Sequence, residues 1–478
     1  MSELRFYNNS SDSFLRRWKL VSHIFFVFVQ HHTSTEETES AEPEKIANNK
    51  WFIGYFLSNM AGGVTTPLIP LFIIVYLGSN VFYMGITTSS ASAASVLALI
   101  FWGNISDYFK KRKIFILIGF AGSFASLMLI MFVHTITQYI VIMVLFQLVA
   151  MASVPISTLI LIENSKENKW PVVMSRFNEI SAAGTVAGLV LGTVIISLYA
   201  TSSKGILLEV YEISAILYLF AAISVFIFIK DPSRTLGRRR LWMVNSIRMV
   251  ERVRYFPSNV IHFMALNGRK KDRNLGRSLM LYLLSATFLM LGFQIFFVPY
   301  PVFLINRLGA SETLVFVMYL SNAAFSALTY IWSGKALNRF GSRKVLTASL
   351  MARIFIFLGM AGIAYVAVEN YLYLIVSIAI YGILGGIWSF IGISQITTVS
   401  HFASKTLRGK AVGYYNSFNG IGQILGSFVS GIVALYFGYS VDFILAASVV
   451  MVASVIALKS LPKTETADGR EKVISSIS

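Results

Sequence analysis

The sequence predicts an all-α integral membrane protein, with twelve transmembrane helices arranged as two parallel six-helix repeats. Three observations carry that prediction. The composition is 56% hydrophobic and 13% charged over 478 residues, with a mean hydropathy of +0.68, too little polar surface for a water-soluble chain of this length. About twelve apolar stretches follow one another, each long enough for a helix to cross a bilayer. The basic residues fall in alternate loops between them.

Taken in order, residues 1–50 form a composite tail. Arg16, Arg17, Trp18 and Lys19 lead into "LVSHIFFVFV", too short to span and suited to an interfacial helix, and an acidic patch from Glu36 to Glu44 follows. Spans are expected at 52–77, 82–103, 114–134, 139–162, 177–200 and 210–229, then at 279–305, 313–333, 345–367, 371–397, 411–436 and 441–458. Continuous apolar runs without polar–apolar alternation indicate helices and not barrel strands. Pro67 and Pro70 are expected to kink the first span, and Pro155 the fourth. Between the sixth and seventh spans lies a loop with thirteen Lys and Arg against Asp231, Glu251 and Asp272. The divisions are therefore a tail at 1–50, a six-helix bundle at 51–230, a basic loop at 231–277, a second bundle at 278–460 and a tail at 461–478.

The net charge of +18 is a topology signal, because 37 of the 40 Lys and Arg lie in the tails and in alternate loops. Basic loops stay inside during insertion, so a multi-pass protein of the cell membrane with both termini cytoplasmic is expected. The basic loop is placed against anionic lipid at that face. No aromatic-basic module accompanies the charge, which argues against nucleic acid as a partner. The absence of cysteine excludes disulfides and thiolate chemistry, and the six histidines have no metal-ligand spacing. No nucleophile–base set or phosphate-cradling loop supports an enzyme.

An internal repeat sets the architecture. "PLFIIVYLGS…GNISDYFKKRK" from Pro70 matches "PVFLINRLGA…GKALNRFGSRK" from Pro301, each pair offset by 231 residues. Asn178, Gly184 and Gly188 align in turn with Asn416, Gly422 and Gly426, at an offset of 238. Both basic loops share a side, so an even number of spans separates them, and the halves have the same orientation.

The loop after the second span resembles the signature of the major facilitator superfamily. Gly103, Ile105 and Asp107 match its first half, and Lys111 and Arg112 its basic end. The second copy keeps Gly334, Leu337, Arg339, Gly341 and Arg343 but carries Asn338 at the Asp position. The resemblance covers about residues 51–460 and implies two bundles that latch in the outward-facing state. Asp107 would then meet the start of span 11, and Arg112 or Lys111 would pair with Glu163. Asn338 makes the latch asymmetric. As physics, the loop glycines are expected to allow close helix contact.

The same resemblance places spans 1, 4, 7 and 10 around a central cavity, with Tyr55, Asn59, Gln147, Gln294, Trp388 and Gln395 as candidate substrate contacts. Interhelical hydrogen bonding is the alternative for each amide. The glycines of "GILGGI" before Trp388 are expected to let that helix bend. Gly184, Gly188 and Gly192, with Gly422 and Gly426, are expected to pack helices closely. Carboxylates are expected in tails, loops and outer turns of spans, with Glu179 and Glu212 nearest the membrane. Arg353 is expected to snorkel or, if it faces protein, to attract an anion. The implied function is transport of small, neutral or amphipathic to hydrophobic solutes by alternating access, without a cofactor. Drug-efflux-like export is favoured over sugar-like uptake, and a non-transporting receptor on the same scaffold is the reading from another class. A proton or sodium ion as coupling partner stays open, and the protein is expected to be monomeric.

Overall fold

The computed structural model describes residues 49–109, 112–163, 170–198, 205–229, 273–366, 370–402 and 408–461. The expectations for the tails and for the loop at 231–277 fall outside them, apart from its last few residues. Among the described residues the chain is helical and contains no strand. Twelve helices are long and apolar enough to cross a membrane. They are α1 (Phe52–Tyr76), α2 (Val81–Gly103), α3 (Arg112–Phe132), α4 (Ile136–Ser157), α5 (Val172–Leu198) and α6 (Gly205–Phe228). The second set is α7 (Ser278–Leu308), α8 (Glu312–Phe340), α9 (Ser342–Val366), α10 (Tyr371–Ser400), α11 (Ala411–Tyr436) and α12 (Gly438–Ser460).

Local chemistry sets the ends. Gly78 and Gly309, equivalent in the repeat, both take positive φ (61° and 65°) where α1 and α7 stop, a conformation that glycine adopts without steric cost. Thr135 caps α4 through a reciprocal pair with Gln138, and Ser311 accepts from the Leu314 amide at the start of α8. The prolines act unequally. Helix α1 runs through Pro67 and Pro70 and widens into a π-helical turn at Phe72–Tyr76. Helix α4 is interrupted at residues 151–153, just before Pro155, whose ring cannot follow a regular turn.

The two halves pack by the same rule. In the first, α1 lies on α5 and α6, α3 on α6 and α4, and α2 on α4. In the second, α7 lies on α11 and α12, α9 on α12 and α10, and α8 on α10. Equivalent glycines make close approaches in both halves. A Cβ at Gly184 or Gly188 would run into the carbonyls of Phe56 and Met60 on α1, and one at Gly422 or Gly426 into those of Thr287 and Leu291 on α7. With lipid as apolar as leucine, such backbone proximity supplies the dispersion contacts that hold a bundle together.

The halves meet along α2–α11 and α5–α8. A Cβ at Gly85 would lie 2.7 Å from the Gly431 Cα and 2.7 Å from the Ser427 carbonyl oxygen. Ser89 Oγ donates to the Ile424 carbonyl at 2.9 Å, and Gly420 faces Val96. Gly192, grouped in the sequence with the glycines that hold α5 to α1, instead faces the Phe316 ring of α8 across the divide. These contacts run from the helix ends remote from the basic loops to mid-helix.

The basic side differs. A Cβ at Gly103 or Gly334 would meet nothing within 4 Å among the described residues, so the close contact expected at these loop glycines is not made here. The halves are sealed on one side by small residues and not by the loop glycines on the other.

Candidate functional site

The cations of the basic loops bind helix ends. Lys113 Nζ donates to the Phe226 carbonyl at the end of α6 (2.6 Å), and Arg343 Nη1 to the Leu461 carbonyl after α12 (3.1 Å). A cation there fills an orphan carbonyl and meets the negative end of the helix dipole. Arg112 Nη1 folds back onto the Ser106 carbonyl at 3.1 Å and is buried. Asn338 and Arg339 are exposed, with the Arg339 guanidinium 5.3 Å from the Phe340 ring. The side chains of Asp107 and Glu163, and all of Lys111, lie outside the described residues, so the pairings expected of them do too.

The cavity candidates fall into two groups, one per half. Tyr55 is buried among Trp51, Phe120 and Phe177, and its hydroxyl donates to the Ser153 carbonyl at 3.1 Å. That carbonyl also accepts from the Ser157 amide at 3.2 Å, so Tyr55 takes its second acceptor site across the helix pair. Asn59 is half-buried and donates to the Tyr55 carbonyl at 2.7 Å within its own helix. Gln147 is half-buried on α4.

In the second half, Gln294 Oε1 accepts from Ser427 Oγ at 3.5 Å, tying α7 to α11. Gln395 is buried, and its Oε1 accepts from the Tyr415 hydroxyl at 2.8 Å, tying α10 to α11. Its Nε2 finds no partner among the described residues. Trp388 is half-buried, with Phe293 edge-on at 6.1 Å. The glycines before it hold α10 against α8 instead of bending it: a Cβ at Gly385 would strike the Asn322 carbonyl, and Gly382 and Gly386 face Ser321 and Thr329.

Two charged residues sit elsewhere than expected. Arg353 does not snorkel. It is 1% exposed, its Nη2 donates to the Leu384 carbonyl at 3.1 Å, and its guanidinium lies 4.2 Å from the Phe293 ring centre. Phe297 and Trp388 are at 5.3 and 5.5 Å. Electron-rich ring faces hold the cation inside the bundle. Arg353 shares a buried face of α9 with Leu346, Leu350, Phe357 and Met360, spaced three or four residues apart.

Asp442, which the sequence reading passed over, is fully buried near the start of α12, and neither carboxylate oxygen has a partner among the described residues. Glu179 is exposed and Glu212 half-buried, so Asp442 and not these two is the acid enclosed by the protein.

A seam of rings joins α7 to α10 beside Arg353. Tyr300 stacks on Tyr381 with centres 5.0 Å apart, Phe297 meets Tyr381 edge-on at 5.5 Å, and the Tyr300 hydroxyl donates to the Ser377 carbonyl at 2.8 Å.

The fold is shared with known transporters. No curated protein matches the chain in sequence. The nucleoside transporter NupG superposes with a TM-score of 0.62 at 17% identity, over 87% of this chain and 99% of that one. A bacterial homologue of the human lysosomal transporter Spinster, in an inward-facing and occupied conformation, gives 0.65 at 11% identity over 88% and 97%. A proton-dependent oligopeptide transporter gives 0.64 at 14% identity over 86% and 97%. The sequence model of the Major Facilitator Superfamily matches residues 51–406 and 389–476, nearly the whole membrane region. Duplicated bundles, the loop signature and this match agree: the chain belongs to the major facilitator superfamily of small-molecule transporters.

Proposed function

We propose that the protein is a secondary transporter of small amphipathic or hydrophobic solutes, working by alternating access in the cell membrane with both termini cytoplasmic. One observation carries the reading: equivalent bundles are sealed by small-residue contacts on the side remote from the basic loops, while a Cβ at the loop glycines on the basic side would meet none of the described residues within 4 Å. With the basic loops cytoplasmic, this is an inward-facing arrangement. A rocking motion would exchange one seal for the other. Export is favoured over sugar-like uptake by the sparse amide network, because Asn59, Gln294 and Gln395 are already engaged within their own halves. The protein needs no cofactor in this reading, acts as a monomer, and rests its basic central loop on anionic lipid.

The purified protein in liposomes, given labelled solutes with and without a pH or sodium gradient, tests this directly. Solute movement is expected, and its gradient dependence identifies proton coupling, sodium coupling or uniport. Failure to move any solute would favour a receptor on this scaffold.

The latch belongs to the same proposal: Asp107 faces the start of α11, and Arg112 or Lys111 pairs with Glu163, in the opposite state. Asp107→Asn is expected to slow turnover about tenfold, on the order of 1.4 kcal/mol, and Asn338→Asp to change it far less. Equal effects would contradict the asymmetric latch.

A further inference from the structure

Arg353 is an unusual object in a bilayer. A charged side chain at membrane depth is costly, and buried arginines ordinarily face a carboxylate. The helices that enclose this one, α7, α9 and α10, contain no Asp or Glu. Asp442 of α12, which packs on α9, leaves both its oxygens unpartnered and so does not answer the charge. Arg353 is left with one carbonyl and three ring faces, and its Nε and Nη1 find no partner among the described residues. Ring faces offset part of the charge but accept no N–H in the plane of the guanidinium.

The surroundings are built to present this group. The Leu384 carbonyl holds Nη2, which fixes the orientation of the planar fork. Tyr381, Trp388 and Gln395 lie seven residues apart along α10 and therefore on one helix face. Trp388 is the half-buried member of that stripe, and the Arg353 guanidinium lies 5.5 Å from its ring centre.

We propose that Arg353 and the rings of Phe293, Phe297 and Trp388 form an anion-recognising subsite for a solute with one negative group on an apolar or aromatic body. The proposal rests on the transport reading above and names its substrate class. The free Nε and Nη1 edges receive the anionic oxygens as Trp388 gives way, and the rings pack against the solute body. One cation neutralises one negative charge, which selects monoanions over neutral analogues and over multiply charged ones.

The wild-type protein itself supplies the first test, by fluorescence titration with benzoate and with benzamide, and a Trp388→Phe control identifies the reporting ring. Saturable quenching by benzoate, with benzamide at least tenfold weaker, is expected. Arg353→Gln should abolish the difference between acid and amide, and Arg353→Lys, which keeps the charge but loses the fork, should retain part of it. Equal binding of acid and amide by the wild type would overturn the subsite, whether or not the variants fold. Complete displacement of benzoate by chloride at physiological concentration would overturn the organic-anion class. If benzoate and benzenesulfonate both fail to bind while other solutes are still moved in liposomes, the subsite is wrong and the transport reading stands.

Discussion

Gly85→Val is expected to cut transport by tenfold or more while leaving a folded protein. The added side chain has no room: a Cβ at this position would already lie 2.7 Å from the Gly431 Cα and 2.9 Å from its amide nitrogen. Those atoms are backbone of the opposite half, so no rotamer change relieves the clash. The strain falls on the α2–α11 seam and is relieved by parting the halves on the side remote from the basic loops. Each tenfold of lost transport corresponds to about 1.4 kcal/mol, well within what overpacking a tight contact costs. The same variant should expose that seam to membrane-impermeant reagents. Gly103→Leu should act in the opposite sense, because a Cβ there meets none of the described residues within 4 Å in the present state, and the side chain would obstruct closure of the basic side. Transport and reagent accessibility, measured on both variants, check the pair. Unimpaired transport by Gly85→Val would show that the seam need not stay closed in any working state.

The second large effect concerns folding. Gly188→Val and Gly426→Val place a side chain against the backbone carbonyls of Met60 and Leu291, inside one bundle each. No motion between the halves relieves this, so the cost falls on stability of the bundle itself, at least the roughly 1–3 kcal/mol typical of overpacking. Both variants should give low yields of folded protein and a clearly lowered thermal midpoint in detergent, in contrast to Gly85→Val. Normal thermal stability of both would contradict the assignment of these glycines to packing within each half.

The contrast shows what the sequence made legible. Twelve apolar runs and alternating cations defined the helices and their topology to within a few residues, because bilayer thickness fixes span length and insertion fixes the side of the basic loops. The repeat identified Gly78 with Gly309 and Gly188 with Gly426, and the structure gives each pair the same task. What the repeat could not distinguish was a glycine within a half from one between halves. Gly192 continues the spacing of Gly184 and Gly188 yet faces Phe316 of the other bundle, since a straight helix turns past its first partner within two or three turns.

Charged residues in the spans were the hardest to read. In water a buried helix face announces itself by contrast with a polar one. In a bilayer both faces are apolar: α9 exposes Met351, Phe355 and Leu358 and buries Leu350, Ile354 and Phe357. Arg353 therefore looked like a residue free to reach the interface, when the rings of α7 and α10 enclose it. Asp442 was overlooked because its distance from the span end suggested an outer turn, whereas the side chain is turned fully into protein.

The account depends most on relative motion of the halves across the α2–α11 seam. The chain contains no cysteine, so an introduced pair can be followed without background. A Cβ at Gly420 would lie 3.9 Å from the Val96 Cβ, within disulfide reach in the present state, and its closer neighbour there is the Val96 side chain itself. The variant Val96→Cys with Gly420→Cys should cross-link on mild oxidation, lose solute transport in liposomes, and recover it on reduction. A protein that is fully cross-linked at this pair and still transports at its reduced rate would contradict alternating access through this seam.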